Sequence, residues 1–329
     1  MAKFSVILPV RNGGEHVKEC IQSVLSQTYQ DFNLHVLDNQ STDGTLEWVR
    51  TLNDNRIEIY VSEKSLTIEE NWARVKTIEK NEFMTMIGHD DILYPDYLLE
   101  MNDLIEKHPK ASLYQAHYMY IDSKGNSLKP CLPMDEVQYA YEFLACQMMQ
   151  TIESTGTGYM IRSKDYDAVG GMSTQFPNLI FADYHLWIQL ASISYKATAA
   201  QESFAYRIHE SVSKVTKGQD YIKAFEQYVY FLDSLKHKEG FKQVIDRYGK
   251  FFLLYFCQSL SHRLLKTPRS ERTMTVKQFI NNCRNYAQLL IPGQEFNPLS
   301  KPLTKIAQRL DYNVFGRQVF AVYQKLKKH

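Results

Sequence analysis

The sequence predicts an α/β fold, with a mostly parallel sheet flanked by helices and a helical region behind it. Three observations support this class. Short runs of β-forming residues alternate with helical spacing of apolar residues in the first part of the chain. Polar residues cluster just after several predicted strands, where open parallel sheets bind their ligands. From Tyr221 onward the apolar residues follow helical spacing only.

The first elements form a βαβ unit. Phe4–Leu8 and Leu34–Leu37 are short apolar runs that end in turn residues, and Glu15–Gln27 between them has helical spacing. The apolar residues on one face of that helix are Val17, Cys20, Ile21, Val24 and Leu25. A strand, a helix and a second strand in this order predict a parallel pair.

The alternation continues beyond the second strand. We expect a helix from about Thr45, a strand over Arg56–Val61, a helix over Ile68–Ile78 and a strand at Met84–Ile87. Four strands and their helices therefore precede residue 90, and the carboxyl ends of the parallel strands should share one sheet edge.

Three polar clusters lie at these predicted strand ends: Arg11-Asn12-Gly13, Asp38 to Asp43, and His89 to Asp91. The turn after the first strand, RNGGEH, lacks the glycine patterns of a dinucleotide-binding fold and of a P-loop, which argues against both classes. The coincidence of three clusters at one edge favours a binding site of another kind.

Asp90 and Asp91 are the most informative of these residues. Two adjacent carboxylates repel each other unless they are solvated or share a cation, and their oxygens suit Mg²⁺ or Mn²⁺. The alternative is a turn in which both side chains bond nearby backbone. The dipeptide alone leaves both interpretations open.

Composition narrows the class of protein. The five cysteines are scattered and odd in number, which predicts neither a disulfide framework nor a zinc site and fits a reducing compartment. The first residues look like a strand and not a signal peptide, and the run Phe251 to Cys257 is too short to cross a bilayer. We expect a cytoplasmic protein, either soluble or peripheral at the cytoplasmic face of the membrane.

The net charge of +1 hides an uneven distribution. From Gln258 to the end the sequence has thirteen Lys or Arg residues and three acids. A final helix, Val314 to Leu326, has one apolar face and a basic end, which suits an anionic membrane surface. The alternative is a helix packed on its own domain with solvated lysines. No motif supports nucleic acid as a partner.

Six segments, in this order, resemble the inverting family-2 glycosyltransferases, which have the GT-A fold and use nucleotide-sugar donors. The segments are SVILPVRNGGEHVKECIQSVLSQTYQDF, VLDNQSTDGT, NWARVKTIEKNEFMTMIGHDDILYPDYL, TGTGYMIRSKDYDAVGGM, ADYHLWIQLA and YRIHESVS. The resemblance covers roughly residues 3 to 215. It implies a GT-A-like, nucleotide-binding domain over residues 1–217, with a donor half of about 1–110 and an acceptor half of about 111–217. Residues 218–329 would form the helical, basic region.

The resemblance also assigns the acidic pair. Asp91 is expected to bind the metal, Mn²⁺ or Mg²⁺, while Asp90 assists it or binds the donor ribose. Gly88 stands where the family often has a further carboxylate, which predicts weaker metal affinity. His209 stands where the family contacts the metal or the pyrophosphate, and Arg207 would contact phosphate oxygens.

Donor recognition is expected at the first two strand ends. Asp38 and Asn39 match the positions where the family binds the base and ribose, and Pro9 and Arg11 would flank the base. Asn39 replaces the commoner aspartate. Its amide oxygen can still accept from a uracil N–H, but its NH₂ group could equally donate elsewhere, so the base is left open with a UDP-sugar as the favoured donor.

Asp183 matches the family's catalytic base. An inverting displacement needs one base to deprotonate the acceptor hydroxyl as that oxygen attacks the sugar. The alternative role is a helix N-cap, because Asp183 precedes a helix with an apolar face. Ala182 stands where the family commonly has glutamate.

The expected function is that of a metal-dependent inverting hexosyl- or N-acetylhexosaminyltransferase. It would move one sugar from a nucleotide-sugar to a hydroxyl of a glycan or lipid-linked saccharide, as in cell-surface polysaccharide synthesis. Two alternatives remain: a nucleotidyltransferase, for which RNGGEH is a poor phosphate loop, and a non-catalytic glycan-binding or scaffold protein that keeps the fold.

Overall fold

The structure is a computed structural model that describes residues 2–208, 217–313, 317 and 320. The chain divides into two compact units. The first comprises Met1–Phe143, Gln150–Thr174 and Ala182–Ser211, and the second comprises Leu144–Met149, Gln175–Phe181 and Val212–His329. Two short segments that precede residue 217 thus group with the second unit.

The strands are β1 (Phe4–Val10), β2 (Phe32–Asp38), β3 (Ile57–Val61), β4 (Phe83–Met86), β5 (Ile92–Leu93), β6 (Leu113–Ile121), β7 (Ser127–Pro130), β8 (Val137–Gln138), β9 (Tyr159–Arg162) and β10 (Lys196–Arg207). The helices are α1 (His16–Leu25), α2 (Thr45–Arg50), α3 (Ile68–Ala73), α4 (Tyr97–Lys107), α5 (Ala140–Met149), α6 (Ser163–Ala168), α7 (Ala182–Ala191), α8 (Gly218–Leu235), α9 (Glu239–Lys266), α10 (Val276–Leu290) and α11 (Pro302–Tyr312).

The strands form one sheet in the order β3-β2-β1-β4-β9-β6-β10-β5, with β7 added beside β6 and β8 beside β10. The ladders that join β3, β2, β1 and β4 are parallel, as the βαβ pattern predicts. β9 runs antiparallel to both of its neighbours, and β6 and β10 are parallel to each other. The predicted α/β class with a helical carboxyl-terminal region is confirmed.

The first strand lies at the centre of the parallel part and is buried along its whole length. A strand covered on both faces has a continuous apolar sequence, which explains the run from Phe4 to Leu8. The predicted face of α1 packs into the same core, since Val17, Cys20 and Ile21 are fully buried.

The third helix is shorter than predicted. It begins with a capping box in which Thr67 and Glu70 bond each other's backbone N–H, and it ends at Ala73. A 3₁₀ turn over Arg74–Thr77 completes the predicted segment. The Thr77 hydroxyl donates to the Arg74 carbonyl, a local bond that competes with regular helix.

The second unit is helical in its described part, as the spacing predicts. Phe225, Tyr228 and Leu232 form the buried face of α8, and the ring of Phe181 stacks on Tyr228 with centroids 5.2 Å apart. Apart from Arg317 and Phe320, the predicted final helix lies outside the described residues. No helix within residues 2–208 and 217–313 is long and apolar enough to cross a membrane.

Position 158, just before β9, requires glycine because of its backbone conformation and because of the neighbouring Phe204 ring. Its φ is +89°, and a Cβ there would lie 2.1 Å from ring carbons of Phe204. We therefore expect Gly158→Ala to lower the free energy of unfolding by about 3 kcal/mol, through backbone strain and overpacking together. Urea denaturation would measure this loss.

Gly170→Ala is the matched control. Gly170 has a similar φ of +91°, but a Cβ there would meet nothing within 4 Å. This variant should lose about 1 kcal/mol of unfolding free energy, which measures the strain of the backbone conformation alone. Equal losses in the two variants would contradict the proposed contact with Phe204.

Candidate active site

Pairing of the parallel strands brings the predicted clusters to one edge of the sheet. Val10 at the end of β1 pairs with Asp38 at the end of β2, and β4 pairs with the same β1 on its other side. The loops that follow these three strands are therefore neighbours, as the sequence predicts.

The loops after β1 and β2 are joined by hydrogen bonds. The Asn12 backbone donates to the Ser41 hydroxyl (2.9 Å), and the Asn12 side-chain oxygen accepts from the Thr42 N–H (2.8 Å). The Gly14 N–H donates to the Asp43 carboxylate at 2.9 Å. Burial would raise the pKa of Asp43, but the hydrogen bonds it accepts outweigh burial and lower it.

Asp38 is a fully buried carboxylate at the end of β2. Its Oδ2 accepts from the Ser41 N–H at 3.2 Å. Its Oδ1 is also buried and has no hydrogen-bond partner among the described residues. An unpaired buried carboxylate oxygen is costly, so Oδ1 is an acceptor that suits a ligand donor group.

Asn39 has its side chain bound inside the protein. Its Oδ1 accepts from the Leu66 N–H (2.8 Å), and its Nδ2 donates to the Leu66 carbonyl (2.9 Å). This pair of bonds holds the segment after β3 against the end of β2. The geometry therefore gives Asn39 a supporting role at this strand end, and the donor contact expected from the sequence stays a prediction.

Pro9 and Arg11 lie at and just after the end of β1. Pro9 is buried and faces Leu37 of β2, and it is tolerated because the ladder to β4 has already ended at Ile7. Arg11 is exposed at the mouth of the same edge. Both remain predicted donor contacts.

Asp91 is buried, and both of its oxygens accept bonds from distant parts of the chain. Oδ2 accepts from the Thr157 hydroxyl at 2.5 Å, and Oδ1 accepts from the Arg207 backbone N–H at 2.9 Å. Burial, and then the charge of Asp90, raise the pKa of Asp91, while these two bonds lower it. These contacts fix the loop after β4 and occupy the oxygens expected to bind metal.

The Arg207 side chain is fully buried and serves the same loop. It donates to the Asp90 carbonyl from Nε at 2.7 Å, and to the Glu19 carboxylate from a terminal nitrogen at 2.6 Å. The other terminal nitrogen donates to the carbonyls of Asp122 and Ser123. Since the guanidinium has no exposed surface, its hydrogen bonds hold this loop in place, and the expected phosphate contact stays a prediction.

Asp90 is the more exposed member of the acidic pair. A Cβ at Gly88 would lie 2.9 Å from Oδ1 of Asp90 and 2.9 Å from Oδ2 of Asp91. Both carboxylates therefore fold back over Gly88, and glycine leaves the space they use. A third carboxylate at position 88 would need them to move.

Asp183 lies in the first turn of α7, as its second residue. Its Oδ1 accepts from the Tyr184 N–H at 2.9 Å. The residue keeps some contact with solvent, yet burial of its carboxyl raises its pKa to about 7. A carboxyl that titrates near neutrality suits a general base, the role that the sequence predicts.

The Tyr206 phenol is sensitive to the charges of both the acidic loop and Asp183. It lies among surrounding protein atoms and within electrostatic reach of Asp91, Asp90 and Asp183. Burial, and then the three carboxylates in that order, raise the pKa of Tyr206. The acids expected for the donor site and for the base therefore all act electrostatically on the same phenol.

His209 lies outside the described residues, and its expected metal contact stays a prediction. Among the residues that the structure does describe, no group of three or more His, Cys, Asp or Glu residues could hold a metal ion. Mg²⁺ sites in phosphate-handling enzymes often take one or two carboxylates and complete their shell with substrate phosphates. Asp90 fits that kind of site.

Sequence reasoning missed Thr157, Glu19 and Tyr206. Thr157 lies in the TGTGY segment and Tyr206 beside Arg207, so both fall in segments that carry the family resemblance. Glu19 is on the polar face of α1 and looks like an ordinary solvated residue. Its partner is 188 positions away, and no local pattern reports such a pair.

We expect Thr157→Val to lower the free energy of unfolding by about 2 kcal/mol. The hydroxyl donates to Asp91 and accepts from the Gly88 N–H at 2.9 Å, so its loss leaves two groups unpaired. Thr157→Ser keeps the hydroxyl and should remain close to wild type in the same urea titration. A serine variant as unstable as the valine variant would contradict this role.

Comparison with known proteins identifies the family and the fold of the chain. The Glycosyl transferase family 2 model matches residues 5–169. An uncharacterized glycosyltransferase of Rickettsia conorii is 28% identical over 197 residues, which cover 58% of this chain and 31% of the relative. Glycosyltransferase GlyG of Streptococcus pneumoniae is 26% identical over 125 residues, 37% of this chain and 42% of that protein. The chain spans less than half the length of both relatives.

Solved structures show the same fold. S. aureus TarS 1-349, in complex with UDP-GlcNAc, has a TM-score of 0.67 at 16% identity, covering 88% of this chain and 81% of that one. The mannosyltransferase PcManGT from Pyrobaculum calidifontis, in complex with GDP-Man and Mn²⁺, has a TM-score of 0.51 at 12% identity, with coverages of 98% and 88%. Identities this low show the GT-A fold alone. Together with the family match over half of its length, they establish that this chain belongs to glycosyl transferase family 2.

Proposed function

We propose that this protein is an inverting glycosyltransferase that moves one sugar from a nucleotide-sugar to a hydroxyl of a saccharide acceptor. The observation that carries the proposal is the carboxyl of Asp183. Its pKa is raised to about 7, and it shares the surroundings of Tyr206 with the acidic loop after β4. A base and a candidate donor site therefore lie within electrostatic reach of one residue.

Donor binding is assigned to the edge formed by β1 and β2. The buried Oδ1 of Asp38 would accept a hydrogen bond from the base or the ribose. Pro9 and Arg11 border the same edge. A UDP-sugar is the favoured donor, and TarS with UDP-GlcNAc and PcManGT with GDP-Man show that this fold accepts more than one base.

Metal binding is assigned to Asp90, with the donor diphosphate completing the shell. When bound there, Mg²⁺ or Mn²⁺ supplies positive charge that stabilises the leaving diphosphate. Asp91 supports the loop, since both of its oxygens already accept bonds from Thr157 and Arg207. PcManGT was solved with Mn²⁺, which supports a divalent ion on this fold.

The reaction follows from these placements. Asp183 takes the proton of the acceptor hydroxyl while that oxygen attacks the anomeric carbon. The bond from the anomeric carbon to the diphosphate oxygen breaks, and the bonding electrons leave with the nucleoside diphosphate. Attack from the opposite face inverts the centre, so an α-linked donor gives a β-linked product. The acceptor is expected to be a glycan or a lipid-linked saccharide.

Asp183→Asn should lower kcat/KM about a thousandfold, because the amide cannot take the proton. Donor binding should stay near wild type, since Asp183 is assigned to the acceptor. Transfer assays with a nucleotide-sugar panel measure the first effect, and ligand-induced thermal shifts measure the second. Wild-type activity in this variant would contradict the assignment, while donor binding without any wild-type turnover would support a non-catalytic binding protein.

In the wild type, kcat/KM should rise with pH and level off above about 7, where Asp183 becomes ionised. The raised pKa keeps the carboxyl protonated in mild acid, so activity is lost as pH falls through this value. A pH–rate profile measures the midpoint. A midpoint near the ordinary aspartate range, close to pH 4, would contradict the burial seen for this side chain.

Asp90→Asn should lower kcat/KM roughly a hundredfold and raise the Mn²⁺ concentration needed for half-maximal activity, since a neutral amide binds the cation weakly. The variant keeps the Asp90 backbone carbonyl, so the hydrogen bond that this carbonyl accepts from Arg207 is retained. Metal titrations of activity and urea denaturation provide the two measurements.

Asp91→Asn is the matched control for Asp90→Asn. It removes a carboxylate that is buried and bonded to Thr157 and Arg207, so it should reduce stability more than Asp90→Asn does. If Asp91→Asn instead raised the Mn²⁺ requirement while leaving stability intact, the two assignments would have to be exchanged.

A further inference from the structure

Helix α11 buries its small and polar residues and exposes large apolar ones. The buried residues are Thr304, Ala307 and Asp311. Leu303 and Ile306, by contrast, are 49% and 46% exposed. A helix that only packs on its own domain turns its large apolar residues toward the core. The orientation of α11 therefore indicates that its outer side has a partner.

The outward apolar residues form one stripe. Leu303, Ile306 and Leu310 are spaced i, i+3 and i+7, so they lie on one side of α11. Leu310 is half-buried. Leu303 also lines a groove together with the exposed Tyr255 of α9, and His262 Nε2 lies 3.1 Å from the Leu303 carbonyl oxygen. The stripe thus continues onto α9.

Two aromatic rings extend this surface along α9. Phe251 and Tyr255 are both exposed, and their rings stack with centroids 6.4 Å apart. A tyrosine presents an apolar body and a polar tip, which suits a boundary between water and an apolar phase. We call the surface formed by Leu303, Ile306, Leu310, Tyr255 and Phe251 the apolar face.

Basic residues border the apolar face. Lys305 and Arg309 are exposed on α11, and the exposed Lys266 of α9 lines the groove with Leu303. Among the residues described, no acid forms an ion pair with any of these three cations. The acid of α11, Asp311, is buried and pairs with Arg272 at 2.8 Å. The border is therefore positively charged.

This charge distinguishes between partners. Glu271, the single acid that lines the groove, pairs with Lys217 at 3.2 Å and so does not reverse the sign. A second copy of the chain would bring like charges together across a two-fold interface. A bilayer with anionic lipid suits both features, because apolar side chains enter the acyl boundary while cations stay at the phosphates.

We propose that the apolar face and its basic border bind the surface of a bilayer that contains anionic lipid. Leu303 and Ile306 enter the region between head groups and acyl chains, and Lys305 and Arg309 contact lipid phosphates. The inference goes beyond the proposed function, because it concerns a surface of the second unit and no step of the reaction.

The double variant Leu303→Ser/Ile306→Ser tests the apolar face. Its matched control is Leu128→Ser/Ile193→Ser, which replaces the same residue types at 54% and 49% exposure in the first unit. Co-sedimentation of the full chain with vesicles of equimolar phosphatidylglycerol and phosphatidylcholine measures the partition coefficient. We expect the α11 variant to partition roughly thirtyfold less than wild type, and the control to partition like wild type.

The double variant Lys305→Gln/Arg309→Gln tests the basic border. Its control, Arg50→Gln/Lys110→Gln, removes the same charge from exposed residues of the first unit. The α11 variant should partition roughly twentyfold less than wild type onto the anionic vesicles at low salt, the loss expected for two cations at such a surface. Added salt should weaken wild-type binding, and vesicles of phosphatidylcholine alone should not distinguish wild type from this variant.

Vesicle binding that neither α11 variant reduces would overturn the inference, because the contact would then lie in another part of the chain. A wild-type chain that binds neither kind of vesicle would overturn it too. So would a wild-type dimer, measured by analytical ultracentrifugation, that dissociates in Leu303→Ser/Ile306→Ser while vesicle binding persists. Urea denaturation checks that these exposed substitutions keep the fold, and the charge variant keeps the test decisive if the serine variant is destabilised.

Discussion

The buried guanidinium of Arg207 is the interaction on which the candidate site depends. Its side chain has no exposed surface, so its charge must be balanced inside the protein. It is balanced by Glu19 of α1 and by carbonyls of the loop after β4 and of the turn between β6 and β7. None of these partners can move away without leaving a buried charge unpaired, so the three segments and the end of β10 hold a common geometry.

The two adjacent acids, Asp90 and Asp91, take part in this arrangement in different ways. Asp91 accepts hydrogen bonds from the Arg207 backbone N–H and from the Thr157 hydroxyl, so both of its oxygens help to hold the loop in place. Asp90 accepts from Arg207 through its backbone carbonyl, and it is the more exposed of the two residues. Gly88 completes the arrangement, because both carboxylates fold over its missing Cβ. The departure from the family's acidic pattern at this position is thus a packing feature of this loop.

Sequence periodicity was sufficient for the first part of the fold and for the sheet edge at which the polar clusters meet. Parallel pairing of β1, β2 and β4 follows from alternating strands and helices, and it carries Asp38 and Asp90 to one edge. Local sequence patterns could not show which of the two adjacent acids, Asp90 or Asp91, is buried and bonded within the protein. Asp91 and Thr157 are 66 positions apart, and Asp91 and Arg207 are 116 apart. Which of two neighbouring acids faces inward is decided by strands that arrive much later in the chain.

Burial sets the chemistry of the last carboxylate. Asp183 has no cation among the causes of its shifted pKa, so desolvation alone raises the value to about 7. A base with a higher pKa takes a hydroxyl proton more readily, but each further unit would leave it about tenfold less ionised at neutral pH. The faster proton transfer to a stronger base offsets only part of the loss of ionised carboxylate. A pKa near the working pH is therefore close to the best compromise for a general base. The partly buried start of α7 would supply that compromise to the proposed base without a second charged residue.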